Sequence, residues 1–273
     1  MRSAAAQLGT YGSLVIASLL TLLPLTVVLM ASFKTKEEWL STSALAPPTS
    51  LRLDNYVTAF TSGRMALGFV NTAVILLVAI TGTVIIGSMT AYAIDRFEFR
   101  FKKVVIGLFL LAVLVPAVTT QVATFQVVND LGLYNTRWAA IALFMGTDIV
   151  AIYIFLQFIR SIPTELDEAA TLEGAGHLTI FWRIIFPLLK PAIATVVIIK
   201  GFAAYNEFYI PFLYMPSRDL PVISTALFRF TGPFGTQWEV ISAGVIITII
   251  PTLVVFLLLQ RYIYNGFTSG ATK

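Results

Sequence analysis

The sequence predicts an all-α, polytopic membrane protein, with six transmembrane helices and one polar loop that folds as a helix-turn-helix outside the bilayer. Hydrophobic residues make up 58% and charged residues 12% of the 273, where soluble domains are about half apolar and a quarter charged. Six runs, 11–33, 69–94, 104–127, 138–158, 188–212 and 240–262, supply the apolar length that a spanning helix needs, about 20 residues. The polar stretch 161–187 separates the fourth run from the fifth. The runs lack the period-two alternation of barrel strands, so helices are the spanning structure that satisfies its own backbone groups. Six such helices form one domain over 1–273, with 161–187 as a loop within it.

The first run has no short apolar core with a small-residue cleavage site, and Lys34 and Lys36 follow it, so it reads as a retained helix. Segment 34–68 carries Pro47 and Pro48 and reads as a surface connector with a short helix after Asp54. After the second run, loop 95–103 packs Arg96, Arg100, Lys102 and Lys103 into one turn. Pro24, Pro116 and Pro251 predict kinks within their spans. Turn 129–135 needs only turn chemistry. Segment 211–239 is long for a connector and is stiffened by Pro211, Pro216, Pro221 and Pro233. Lysine and arginine favour the side holding 95–103 and 161–187, which predicts that both termini and the polar loop are cytoplasmic.

Within 161–187, Pro163 suits a first helical turn, and Glu165, Asp167 and Glu168 complement the helix N-terminus. Leu166, Ala169, Ala170 and Glu173 share one face, smooth enough at the alanines for another backbone to approach. Gly174 and Gly176 stop the helix. A second amphipathic stretch runs from His177 to Ile185, and Pro187 redirects the chain into the fifth run. Acidic first turns and glycine stops are also the grammar of an ordinary interfacial hairpin. The spacing is more specific. Glu168-Ala169-Ala170, three residues, Gly174, nine residues, Ile184, one residue, Phe186 and Pro187 resemble the EAA loop of the membrane subunits of ABC importers, with Phe186 in place of a leucine. That resemblance implies a coupling helix docking into a separate ATPase subunit through Leu166, Glu168, Ala169, Ala170, Gly174 and Pro187.

Further stretches, among them Asn55-Tyr56, residues 91–97, residues 131–136 and Tyr205-Asn206, are similar to those of carbohydrate ABC importer permeases, in particular the smaller six-helix subunit of maltose-type heterodimers. The chain departs from that pattern at Glu173, Tyr205 and Lys200. The resemblance implies a bacterial or archaeal inner-membrane protein working with a second permease subunit, two ATPase subunits and an extracytoplasmic sugar-binding protein. ATP and Mg are then bound by the ATPase partner, and the chain itself has no phosphate-binding Gly-x4-Gly-Lys-Ser/Thr motif. The sequence is that of a non-catalytic subunit without a cofactor of its own.

Ionisable residues at membrane depth are functional candidates by default, which singles out Asp148, Lys200 and Glu207. Asp148 and Lys200 have a structural pairing as their alternative. Beside Glu207, the groups of Tyr205, Asn206 and Tyr209 suit sugar hydroxyls and ring faces, although two tyrosines there also fit an interfacial aromatic belt. Gly232, Pro233, Phe234 and Gly235 are the candidates for contact with the binding protein. With no cysteine and one histidine, disulfides, thiolate metal sites and metal catalysis have no footing. His177 reads as packed or solvated. The basic residues lie in loops and form no stripe for nucleic acid. An ion-coupled secondary transporter is the alternative that the three intramembrane charges keep open.

Overall fold

The computed structural model describes residues 4–271 other than 117, 147, 233 and 234. Every regular element among them is helical, and the order is α1 (Ala4–Phe33), α2 (Lys36–Ser41), α3 (Asp54–Ser62), α4 (Met65–Arg96), α5 (Lys102–Leu114), α6 (Gln121–Asp130), α7 (Arg137–Met145), α8 (Ile149–Arg160) and α9 (Glu165–Leu172). There follow α10 (His177–Ile180), a π-turn over Phe181–Ile185, α11 (Phe186–Leu188), α12 (Lys190–Asn206), α13 (Tyr209–Tyr214), α14 (Ile223–Ala226), a 3₁₀ turn over Leu227–Phe230 and α15 (Trp238–Ala271). Among the described residues, three helices are long and apolar enough to cross a membrane, within Gly9–Phe33, Met65–Arg96 and Trp238–Leu258. Two bent pairs raise the number to five: Arg137–Met145 with Ile149–Arg160, at 42°, and His177–Leu188 with Lys190–Asn206, at 72°.

Run 104–127 is not one kinked helix, as the sequence suggested. It breaks into α5 and α6. Pro116 lacks an N–H and drives its predecessor out of the helical region, and Val115 accordingly has φ −78° and ψ 116°. Pro24 and Pro251, by contrast, lie inside continuous helices. The redirection expected at Pro187 falls at Leu189, between α11 and α12. At Pro187 the preceding turn widens, with the Phe186 N–H bonded to the Phe181 carbonyl, which relieves the clash of a proline ring with the carbonyl four residues back. Pro191 then stands in the first turn of α12, where its missing N–H costs nothing.

The chain divides into two compact units. The first comprises Met1–Ala66 and Thr225–Val254. Leu19, Leu20 and their apolar neighbours on α1 are exposed, as suits a helix whose solvent is hydrocarbon. Where α1 ends, Asn55 on α3 donates to the carbonyls of Ser32 (2.9 Å) and Lys34 (2.8 Å), and the hydroxyls of Ser32 and Tyr56 meet at 2.7 Å. These bonds answer helix-end carbonyls that have no intrahelical donor. Lys34, only 1% exposed, donates to Thr42 Oγ1 (3.1 Å) and the Ser43 carbonyl (2.8 Å).

The second unit comprises Leu67–Ser224 and Val255–Lys273. Its core joins Tyr92 of α4 and Ile152 and Phe155 of α8 to Ile180, Phe181 and Ile185 of the hairpin and Val196 of α12. Gly87 of α4 faces the Phe155 ring of α8, and a Cβ there would sit in ordinary contact with it, 3.4 Å away. Buried Asn71 donates to the Pro221 carbonyl (2.7 Å) and accepts from Arg137 Nε (2.9 Å). Beside it, Thr72 Oγ1 accepts from the Ile223 N–H (3.0 Å).

Candidate functional site

Helix α9 stands where the sequence put it, with Glu165, Asp167 and Glu168 in its first turn. Its end is a Schellman motif: Gly174 N–H bonds to the Thr171 carbonyl (3.0 Å) and Ala175 N–H to the Ala170 carbonyl (2.9 Å). Gly174 has φ +85° and no atom within 4 Å of an added Cβ, so backbone conformation and not space selects glycine there. Leu166, Glu168 and Ala169 are exposed, and so is Pro187. Ala170 differs from the expectation of one shared docking face: it is 8% exposed and belongs to the core with Phe181 and Ile185. The physical reason is that the inward side of α9 is fixed by Asp167, whose bonds turn the neighbouring Ala170 toward the protein. The outward face consists instead of Leu166, Ala169, Glu173 and Leu172, the last 90% exposed.

Asp167 is the residue that sequence reasoning missed. Its carboxylate accepts from Arg96 Nε (3.1 Å) and from the Tyr92 hydroxyl (3.2 Å), tying α9 to the end of α4. Arg96 also donates to Asp95 Oδ2 (2.6 Å) and to the Ile162 carbonyl (2.8 Å), and Asp95 Oδ1 lies 3.5 Å from Arg160 Nε. The arginine fork thereby holds three segments at once: the end of α4, the turn after α8 and α9. His177 packs its ring edge-on against Phe97, with centroids 4.9 Å apart. The acidic and basic residues were each visible in the sequence, but the separation of 71 between Arg96 and Asp167 hid the pairing.

The second candidate site is a cavity of about 220 Å³ bordered by Ala79, Thr83, Phe144, Asp148, Lys200 and Glu207, among others. Asp148 and Lys200 form an ion pair at 2.5 Å. The other oxygen of Asp148 caps α8 by accepting from Ala151 N–H at 3.0 Å. Glu207 follows the last turn of α12, and its Oε1 accepts from the N–H groups of Tyr209 (2.8 Å) and Ile210 (3.2 Å) at the start of α13. Tyr205 borders a smaller recess with Glu207. Asn206 bonds back to the Phe202 carbonyl of its own helix (2.8 Å), and Tyr209 is exposed. The structure therefore gathers Asp148, Lys200 and Glu207 at one cavity, with Asn206 and Tyr209 outside it.

The family model of the binding-protein-dependent transport system inner membrane component matches residues 83–269, a range that takes in α9, the cavity-lining Asp148 and residues of α12, and most of α15. The chain belongs to this family. The permease is 32% identical over 255 residues to the melibiose/raffinose/stachyose import permease protein MelC of Bacillus subtilis (strain 168), covering 92% of this chain and 91% of that one. It is 31% identical over 271 residues to the galactooligosaccharides transport system permease protein GanQ of the same organism, covering 97% and 94%. Its fold matches a subunit in the crystal structure of a bacterial ABC transporter involved in the import of the acidic polysaccharide alginate, with a TM-score of 0.81 over 96% of this chain and 99% of that one at 19% identity. The permease is thus a non-catalytic, multi-pass membrane component of an ABC transporter.

Of the residues expected to meet a binding protein, Pro233 and Phe234 lie outside the described residues. Gly232 and Gly235 flank them, with the Gly235 N–H bonded to the Gly232 carbonyl (3.1 Å) and Gly235 at φ +114°, in the region that favours glycine. The Gln237 N–H bonds to the Phe230 carbonyl at 3.1 Å, just ahead of α15.

Proposed function

We propose that this permease imports a sugar or oligosaccharide, driven by a separate ATPase, and that its 161–187 hairpin is the cytoplasmic coupling loop. The observation that carries the reading is the Glu168-Ala169-Ala170 helix with its Gly174 stop, an exposed helix anchored at its base by the Arg96–Asp167 bond. Relatives named for the import of melibiose, raffinose and stachyose and for the transport of galactooligosaccharides, alignable over nearly the whole chain, support sugar as the cargo. Six spans arise if the three long helices and the two bent pairs are joined by α5 and α6 as one more broken span. Both termini then lie on the cytoplasmic side, and the chain forms one transmembrane domain.

The partners in this reading are a second permease subunit, two ATPase subunits that bind ATP and Mg, and an extracytoplasmic sugar-binding protein. Leu166, Glu168, Ala169 and Gly174 belong to the ATPase-facing part of the hairpin. Ala170 and Pro187 shape it from within and behind. Asp148, Lys200, Tyr205, Asn206, Glu207 and Tyr209 border the sugar pathway, and the turn around Gly232 and Gly235 meets the binding protein. Reconstituting the complex in vesicles with its binding protein tests the whole scheme. Uptake should require ATP and persist when ion gradients are collapsed; uptake driven by an ion gradient without ATP would refute it. The chain has no native cysteine, so single cysteines report sidedness directly. In intact cells an impermeant thiol reagent should label Ser217→Cys and spare Gly174→Cys, and the reverse pattern would overturn the orientation.

A further inference from the structure

The cavity between α4, α7, α12 and the start of α13 has a charge balance of its own. Two carboxylates, Asp148 and Glu207, and one ammonium, Lys200, border it, so its formal charge is one net negative. The three charges are not equivalent. Lys200 is already matched by Asp148 at 2.5 Å, and that carboxylate is pinned a second time by the first turn of α8. Among the described residues of the cavity wall the one cation is Lys200, and its ion pair is with Asp148, not Glu207. The Glu207 Oε1 is held by two backbone N–H groups of α13, which orient the carboxylate and leave its formal charge in place.

Resting on the reading that this cavity borders the sugar pathway, we propose that it is a charge filter: it passes an uncharged sugar ring and rejects sugars that carry carboxylates. At about 220 Å³, the cavity is smaller than the roughly 300–1,000 Å³ of pockets that enclose drug-sized ligands, so it takes a single ring of an oligosaccharide at a time. A hydroxylated ring finds both kinds of partner there. An ammonium has three donors, of which the pairing with Asp148 occupies one, and the Glu207 carboxylate and the Thr83 hydroxyl offer acceptor capacity. A uronate ring brings a second negative charge beside Glu207 in a confined, partly desolvated space, where like charges repel more strongly than in water. It gains no free cation in return, because Lys200 is neutralised by its partner. The fold shared with an importer of acidic alginate does not carry that cargo over to this chain.

The absence of native cysteine allows the potential in the cavity to be read directly. In the assembled importer with its ATPase and second permease subunit, Ala203→Cys, which lines the cavity, is reacted with methanethiosulfonates bearing either a sulfonate or a trimethylammonium group. Each rate is divided by that of a free thiol. The cationic reagent should be favoured by at least about threefold. Glu207→Gln should abolish that preference, and Lys200→Gln should enlarge it. Millimolar raffinose should slow the labelling more than the same concentration of trigalacturonate. Thr83→Cys repeats the measurement should Ala203→Cys fail to assemble. A preference for the anionic reagent, a preference unmoved by Glu207→Gln, no labelling in any nucleotide state, or protection by raffinose no greater than by trigalacturonate overturns the filter. ATP-dependent uptake of the transported sugar, measured on the same preparations, separates the two readings: uptake with no cationic preference sinks the filter alone, and absent uptake sinks the sugar-importer reading.

Discussion

Asp167→Asn isolates the bond that fastens α9 to the rest of the permease. The substitution keeps the shape of the side chain and one oxygen for the Tyr92 hydroxyl, but it removes the charge that faces Arg96 Nε at 3.1 Å. Both side chains are mostly buried, so the interaction is not screened away as a surface pair would be. Removing one partner of a buried pair costs roughly 3–5 kcal/mol when the other is left alone. Arg96 is not left alone, since Asp95 (2.6 Å) and the Ile162 carbonyl (2.8 Å) still receive its remaining N–H groups. What is lost is about one charge-assisted hydrogen bond, about 2 kcal/mol. That loss falls on the local opening of α9 and not on the whole fold, because Ala170 and the aromatic core remain packed. A cost of about 2 kcal/mol corresponds to about thirtyfold in an opening equilibrium. Hydrogen–deuterium exchange of the Glu165–Leu172 amides, measured on the permease in nanodiscs, should therefore accelerate by about that factor, while the α8 amides keep their protection. Exchange in α9 within about threefold of the wild type would refute the idea that this bond anchors the helix.

Three further outcomes are expected. Gly174→Ala forces φ +85° on a residue with a Cβ, at a cost of about 1–2 kcal/mol; protease cleavage should rise between Thr171 and Ala175, and Gly174→Asn should recover part of the loss, since open space around the Cβ leaves conformation as the sole penalty. Asn71→Ala strips the partners from the Pro221 carbonyl and Arg137 Nε and should lower the stability of the detergent-solubilised permease by about 2 kcal/mol, whereas an unchanged midpoint of thermal unfolding would mean that water replaces the amide. The Glu38 carboxyl is lowered to about 2 from 4.5, chiefly by the hydrogen bond from the Thr49 hydroxyl and then by the Thr35 and Thr49 N–H groups. A depressed carboxyl stabilises the fold above its unfolded value and loses that contribution as the pH falls, so the Thr35–Thr49 segment should hold above pH 4.5 and loosen between pH 4.5 and about 2; a label at Leu45 whose mobility is flat across that window would contradict the assignment.

The sequence by itself determined the all-α membrane class, the positions of the long apolar runs, and the α9 helix with its stop. Each of these rests on local physics: an apolar run in hydrocarbon has no alternative to the helix, and the acidic first turn and Gly174 bound α9 through bonds within a few residues of themselves. The Glu-Ala-Ala spacing was equally legible, because it lies within one short helix and the glycine stop that ends it. Pro116 was recognised as a disturbance, but its result, a break into two helices in place of a kink, depends on whether neighbouring groups accept the freed backbone. Tertiary structure alone decided which side of α9 faces inward. Helical spacing puts Leu166, Ala169 and Ala170 within reach of one face, and the bond from Arg96 to Asp167 then rotates Ala170 into the core and leaves Leu172 outside. The same holds at the cavity. Asp148 and Lys200 were conspicuous as charges in apolar runs, but their pairing, and the presence of Glu207 in the same wall, follow from how the start of α8 packs on α12 across the 161–189 interruption. Long-range pairing of that kind is set by shape and electrostatics in three dimensions, and one-dimensional spacing carries no trace of it.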